Sequence, residues 1–170
     1  DTKVLPAFRP DKAVNIEKGG FKEYINEKLS VTAGVEIKDI DTLLEVMVKR
    51  LDFFESLGCK TSDHGMDYVP YVPCTISEAD SIFKDALAGK TLSSEQADTY
   101  KTFMLQFFAS EFTKRNWVMQ IHYGVARNNS DIHFKKLGPD TGFDVIGPCN
   151  CSKELAKLLD RMYSADALPR

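Results

Sequence analysis

Ser62-Asp63-His64-Gly65-Met66-Asp67-Tyr68 ends a short β-prone run and is followed by helix-forming sequence. Two other stretches are built the same way: Phe8-Arg9-Pro10-Asp11-Lys12, and Gln120-Ile121-His122-Tyr123-Gly124-Val125-Ala126-Arg127-Asn128-Asn129. The resulting order of strand, helices, strand, helices, strand, helix implies an α/β fold with parallel strands and right-handed crossovers. Arg9, His64 and His122 then emerge at the same ends of successive strands, where α/β enzymes keep their chemistry.

Working outward, the first strand is predicted over Lys3–Phe8, ended by the Arg9-Pro10 step because the residue before a proline is pushed toward extended geometry. A helix fits Gly20 to about Thr32, with Phe21, Tyr24, Ile25 and Leu29 at helical spacing and Gly34 closing it. The apolar stripe Ile40, Leu43, Leu44, Met47, Leu51, Phe54 marks a second, started by Asp39 or Asp41 and stopped by Gly58. Cys59–His64 reads as a strand whose positions Lys60, Ser62 and His64 share one side, and their polarity suggests a barrel interior or a cleft. Thr75-x-x-Glu78 and Ser93-x-x-Gln96 are capping boxes opening two more helices. The aromatic stripe of the second of these, Tyr100, Phe103, Phe107, Phe108 and Phe112, has the spacing of a buried face. Trp117–Tyr123 alternates as a third strand, with Trp117, Met119, Ile121 and Tyr123 on one side and Val118, Gln120 and His122 on the other. A turn-rich loop follows, with Asp140 and Asp144 as turn and helix-start residues, and a last amphipathic helix runs from Ser152 to about Met162.

The 170 residues, 43% hydrophobic with a net charge of −3, could form one domain with a real core. Lysines scattered among acids make no stripe for nucleic acid. No apolar run approaches the roughly 20 residues that span a bilayer, so a soluble protein with no membrane partner is expected. Cys59, Cys74, Cys149 and Cys151 match no disulfide framework, and a reducing cytoplasm fits them. Cys149 and Cys151 form a C-x-C pair lacking the partners of a tetrahedral metal set; two small residues near a helix start are the plainer reading. The start at Asp1 without Met and the end at Leu168-Pro169-Arg170 suggest a piece of a larger polypeptide.

The blocks Leu5-Pro6-Ala7-Phe8-Arg9-Pro10-Asp11-Lys12, Ser62-Asp63-His64-Gly65-Met66-Asp67-Tyr68, Trp117-Val118-Met119-Gln120-Ile121-His122 with Ala126-Arg127-Asn128-Asn129, and Lys136-Leu137-Gly138-Pro139-Asp140-Thr141-Gly142-Phe143-Asp144 together resemble the uronate (glucuronate) isomerases of the amidohydrolase superfamily. The resemblance runs in order over essentially the whole chain. It implies a partial (β/α)8 TIM barrel of about three parallel strands, resembling strands four to six with their helices, so that residues 1–170 are one segment from the middle of a barrel domain. It implies aldose–ketose isomerisation, D-glucuronate to D-fructuronate and D-galacturonate to D-tagaturonate, with a hexuronate as substrate and a homo-oligomeric full-length protein. It also implies a divalent metal, zinc by expectation, in the full-length enzyme. The His-x-His pair and the late Asp that hold the family's metal have no counterpart here, so no metal is expected in this segment, and the segment alone is expected to be inactive.

Moving a proton between C2 and C1 through an enediol needs a base, an electrophile and a cation for the carboxylate. Arg9 suits the last role through its planar fork, or is a structural arginine paired with Asp11 or Asp63. His64 and His122 are the candidate catalytic pair, lining the pocket without ligating metal; the plainer alternative is two partly buried histidines satisfied by backbone carbonyls. Arg127 is a second candidate substrate-binding cation or a solvated loop arginine. Asp63 and Asp67 flank His64, and Asp63, adjacent on the strand, is expected to pair behind the sheet. His133 is expected on a loop surface. Two competing functions stand beside the isomerase: a metal-dependent hydrolase in which His64 and His122 bind the metal, and a non-catalytic interaction segment. A three-stranded slice also leaves open edges, so the isolated segment is expected either to self-associate or to hold together as a compact α/β sandwich.

Overall fold

The structure, a computed structural model, describes residues 2–170; Asp1, at the start of the predicted segment, lies outside them. Two parallel strands organise it: β1 (Thr61–Met66) pairs with β2 (Val118–Tyr123), Thr61 opposite Val118 and Met66 opposite Tyr123. The third expected strand is reduced to one bridging residue. Phe8 N–H donates to Thr61 O at 3.0 Å, and Asp63 N–H donates to Phe8 O at 2.9 Å. Pro6 lacks a donor for any longer ladder, and Lys3, Val4 and Leu5 are exposed. Arg9 nonetheless emerges beside β1. On the far side of β2, Met119 N–H donates to the Arg170 carbonyl at 2.9 Å.

Helices cover one face of this small sheet. After the short α1 (Asp11–Val14), the predicted first long helix is continuous but has a π-helical centre: α2 (Phe21–Glu23), a π segment Tyr24–Leu29, then α3 (Ser30–Ala33), closed by Gly34 at φ 65°. Next comes α4 (Ile40–Ser56). Asp39, not Asp41, caps it, accepting from Thr42 N–H at 2.9 Å, and its buried stripe is Ile40, Leu43, Val46, Met47 and Leu51. Both capping boxes form as the sequence implies, opening α5 (Ile76–Leu87) and α6 (Ser94–Lys114) in the connection from β1 to β2.

α6 is the central beam. Tyr100, Met104, Phe108 and Phe112 are fully buried, with Phe108 stacked on Phe112 at 5.8 Å and Phe112 stacked on Trp117 at 5.8 Å. Phe8 meets the same cluster, 5.1 Å from Phe54 edge to face. The Tyr100 hydroxyl reaches the Ala13 carbonyl at 2.9 Å, which satisfies a polar atom inside this core. A second apolar cluster, Met66, Val69, Leu105, Ala109, Leu158 and Met162, packs α6 against α8 (Ser152–Ser164, numbered after α7 below) at the carboxyl ends of the strands.

The segment after β2 is more structured than a turn-rich loop. β3 (Val125–Ala126) pairs antiparallel with β4 (Val145–Ile146), and between them lies α7 (Asp131–Leu137), capped by Ser130. His133 is on this helix, exposed, its Nδ1 2.8 Å from Ser130 Oγ. No helix among the described residues is long and apolar enough to cross a membrane.

Candidate functional site

Parallel partners point their side chains to the same face of a sheet, so the ladder sorts the polar strand residues. Phe8, Ser62, His64 and Met66 share the helix-facing side with Trp117, Met119 and Ile121, whereas Asp63 and Gly65 share the open side with Gln120 and His122. This corrects the expectation for His64. It is 1% exposed and packs 6.1 Å from the Phe108 ring and 5.7 Å from that of Phe112, with Nε2 3.1 Å from Ser62 Oγ and Nδ1 without a partner. Burial pushes its pKa down to about 4, with Asp63 acting in the opposite sense. The imidazole is therefore neutral at physiological pH and turned away from the open face. The polar side of β1 read from sequence is the side under the helices.

The open face gathers Arg9, Asp63 and His122. Asp63 is the hub. One carboxylate oxygen lies 3.3 Å from His122 Nε2 and accepts from Gln120 Nε2 at 3.3 Å, while the other is 3.4 Å from Arg9 Nε. Asp11, at the start of α1, takes Arg9 Nε at 2.8 Å and also accepts the Gly65 N–H at 3.2 Å. Both carboxylates hold the guanidinium in its charged form, the hydrogen bond to Asp11 foremost. Gly65 makes the gathering possible: a Cβ there would lie 2.9 Å from Arg9 Nη2, 3.0 Å from His122 Cε1 and 3.1 Å from Asp11 Oδ2.

Beside this cluster is an open cavity of ≈ 500 Å³ lined by Arg9, Asp11, Lys18, Asp67, Val125 and Arg127 among others. Lys18 pairs with Asp67 across its wall. Arg127 enters from β3's end, held by Asp144 at 3.0 Å and Asp140 at 3.3 Å. Asp144 also accepts the Asn128 N–H at 2.8 Å, so it anchors the β3–β4 ladder and does not start a helix; Asp140 sits at φ 59°, in a turn as read. The cavity wall is thus two arginines and a lysine, each steadied by a carboxylate.

The strand ends therefore bring Arg9, His122 and Arg127 to one side and leave His64 on the other. The pairing of Arg9 with Asp11 and Asp63 is the one the sequence offers as the structural alternative, whereas Asp63 is expected behind the sheet and Gly65 and Gln120 are not marked as site residues. Their one legible signal is the glycine, since an isolated Gly within a strand marks close approach. Because His64 and His122 face opposite sides, the hydrolase reading, in which both bind one metal, has no support in the geometry. Among the described residues no three His, Cys, Asp or Glu side chains are placed to hold a metal ion. Asp11 and Asp63 are committed to Arg9, Gly65 and His122, so the residues present do not themselves fit the divalent ion implied by the resemblance.

Comparison with known proteins bears on the whole chain. Residues 1–170 match the family described as glucuronate isomerase. Over the full chain, identity is 43% to the uronate isomerase of Lachnospira eligens and 46% to that of Endomicrobium trichonymphae, and the chain spans 36% of the length of each. Among solved structures, the uronate isomerase from Thermotoga maritima superimposes with a TM-score of 0.86 at 31% identity, over 96% of this chain and 36% of that one. The glucuronate isomerase from Caulobacter crescentus gives 0.80 at 27% identity, over 94% and 33%. Matched along its entire length in sequence, and over 96% of it in backbone, to the same set of enzymes, the chain belongs to the glucuronate isomerase family.

Proposed function

We propose that residues 1–170 are the central portion of a (β/α)8 barrel, contributing Phe8, β1 and β2 as strands four to six, and that the longer protein interconverts hexuronates as an aldose–ketose isomerase. The observation that carries this reading is the convergence of Arg9, Asp63 and His122 around Gly65 on the uncovered face of the strands. In a barrel that face is the interior, and its carboxyl end is the site of chemistry.

Arg9 binds the sugar acid. Both its ion pairs engage Nε, which leaves the two terminal nitrogens for a two-point contact with a carboxylate or vicinal oxygens. His122 handles a proton. With Nε2 3.3 Å from a carboxylate oxygen of Asp63, the tautomer protonated at Nε2 is favoured, and Nδ1 can accept a proton from the substrate during transfer between C2 and C1. Arg127, across the cavity, supplies a second positive charge for the developing enediolate. His64 supports this wall from behind through its packing on Phe108 and Phe112. No step here passes through a metal; its ligands would come from the other strands of the barrel.

In this reading the full-length protein is a homo-oligomer acting in the cytoplasm. The four described cysteines are all unpaired, as a reducing compartment favours. A net charge of −3 offers no attraction to nucleic acid.

The test is ketose formation from D-glucuronate and D-galacturonate by the full-length protein, its Arg9→Met and His122→Asn variants, and residues 1–170 alone. Activity in the first, lost by both variants and absent from the segment, is the expected pattern. An inactive full-length protein with divalent metal supplied overturns the assignment.

A further inference from the structure

We propose that Cys149 and Cys151 form a dithiol modification site, which a low-molecular-weight disulfide converts into an intramolecular Cys-x-Cys disulfide. The two Sγ atoms lie 2.8 Å apart. Residues two apart cannot have α-carbons more than about 7 Å from each other, close to the upper end of the disulfide range of about 4.4 to 6.8 Å, so little backbone movement separates the pair from a bond. Cys59 and Cys74 instead donate to the carbonyls of Thr61 and Thr99.

Access and order both favour the pair. A cavity of ≈ 630 Å³, adjoining the Arg9 cavity at Asp67 and Val125, is lined by Tyr68, Tyr71, Asp98, Glu154 and both cysteines. Cys149 is partly exposed there, while Cys151 is buried and its sulfur accepts the Val69 N–H at 3.4 Å. The outer thiol meets the oxidant and the inner one resolves it. Cys149 loses its proton to solvent, and its thiolate attacks one sulfur of the disulfide RSSR, forming a mixed disulfide and expelling RS⁻, which takes up a proton. Cys151, deprotonated in turn, attacks Cys149 Sγ and expels the second RS⁻. Two protein thiols give up two electrons and two protons, and one RSSR becomes two RSH. The contact with Cys151, in which the Cys149 thiol donates, raises the Cys149 thiol above its ordinary pKa, so its attack on the oxidant accelerates as the pH is raised.

The site is tied to both strand ends. Val69 follows β1, and Cys149 Cβ lies 3.1 Å from where a Cβ on Gly124, just after β2, would sit. Gly147 N–H donates to the Gly124 carbonyl at 2.7 Å, and Cys149 N–H to the Gly147 carbonyl at 2.9 Å. A closed ring fixes this Gly147–Cys151 segment against the first turn of α8.

The experiment incubates the 170-residue chain with glutathione disulfide at mildly alkaline pH, alkylates the remaining thiols and maps tryptic peptides by mass. Both cysteines fall in the peptide Leu137–Lys153. The expected result is loss of two hydrogens from that peptide, reversed by dithiothreitol, while Cys59 and Cys74 stay alkylatable. Cys149→Ser and Cys151→Ser chains, checked for folding by circular dichroism, should instead carry one glutathione or remain reduced at the surviving thiol. One phenylarsine oxide per reduced chain should protect both thiols together. Stable glutathione adducts on the unmutated pair, or full alkylation of both thiols after an exposure that oxidises free dithiothreitol, would overturn the proposal.

Discussion

Gly65 is the register partner of His122, and no side chain larger than hydrogen fits between them without displacing Arg9: a Cβ at Gly65 would stand 2.9 Å from Arg9 Nη2 and 3.0 Å from His122 Cε1. The displaced atoms belong to side chains that can move, so Gly65→Ala should change stability by no more than about 1 kcal/mol. The movement is nevertheless in the groups proposed to carry binding and proton transfer. A misplacement on the order of 1 Å costs roughly 100-fold in rate, and Gly65→Ala in the full-length protein should lose isomerase activity by about that factor with an almost unchanged urea midpoint. Equal activity would show that Arg9 and His122 are not where the chemistry happens.

Asp63 touches both of those groups, and its removal should separate binding from turnover. In Asp63→Ala the charge facing Arg9 and the acceptor beside His122 are lost together. Partners of this kind are worth roughly 10 to 100-fold, so both a higher KM for hexuronate and a lower kcat are expected. Asp11→Asn, whose carboxylate holds Arg9 and the Gly65 N–H, should act mainly on KM. Steady-state kinetics of the two full-length variants decides this; identical profiles would remove Asp63 from its orienting role.

The clean alternation of Trp117–Tyr123 made the two faces of β2 legible from sequence, as the stripe of α4 and the two capping boxes made their helices legible. On β1 the same rule had nothing to act on. Ser62, Asp63 and His64 are all polar, so alternation could not say which face is buried, and only pairing with Phe8 and β2 settles that Ser62 and His64 lie under α6. Asp63 was placed behind the sheet for the same reason. The first strand, read over Lys3–Phe8 from its β-prone residues, shrank to one bridge because strand length depends on a donor that Pro6 lacks. α7 was hidden by the Asn, Gly and Pro turn formers around it, although Ser130 caps it in the ordinary way.

The neutral, buried His64 makes the fold sensitive to acid in a defined window. Its folded pKa is about 4, against 6.5 for a free imidazole, with burial the main cause, His122 and Arg9 adding to it and Asp63 opposing. Above pH 6.5 both folded and unfolded chains hold it neutral, and it imposes no pH dependence. Between 6.5 and about 4 the unfolded chain takes up a proton that the folded chain refuses, so stability falls as pH falls. The loss is on the order of 3 kcal/mol across the window. Urea denaturation of the 170-residue chain at a series of pH values should show this decline, and His64→Leu, apolar against Phe108 and Phe112, should remove most of it. A decline of equal size in His64→Leu would assign the acid sensitivity to other groups.

Lys101 offers a stability test of a different kind, since it is a buried cation whose partner is not buried. Its side chain is 3% exposed, its Nζ lies 3.0 Å from Glu17 Oε1 and 4.5 Å from the centroid of the Tyr68 ring, while Glu17 is 32% exposed. Removing the carboxylate leaves an ammonium inside the protein with only the face of an aromatic ring to stabilise it. Breaking a buried pair in this direction costs about 3 kcal/mol or more. Removing the ammonium instead leaves a carboxylate that water already reaches, and a methionine of similar length can fill the space on Tyr68. Glu17→Ala should therefore destabilise the chain substantially more than Lys101→Met, whose cost should stay near 1 kcal/mol. Urea midpoints of the two variants measure the asymmetry; if Lys101→Met is the more damaging, the ammonium contributes through Tyr68 and its packing and the Glu17 pair is incidental.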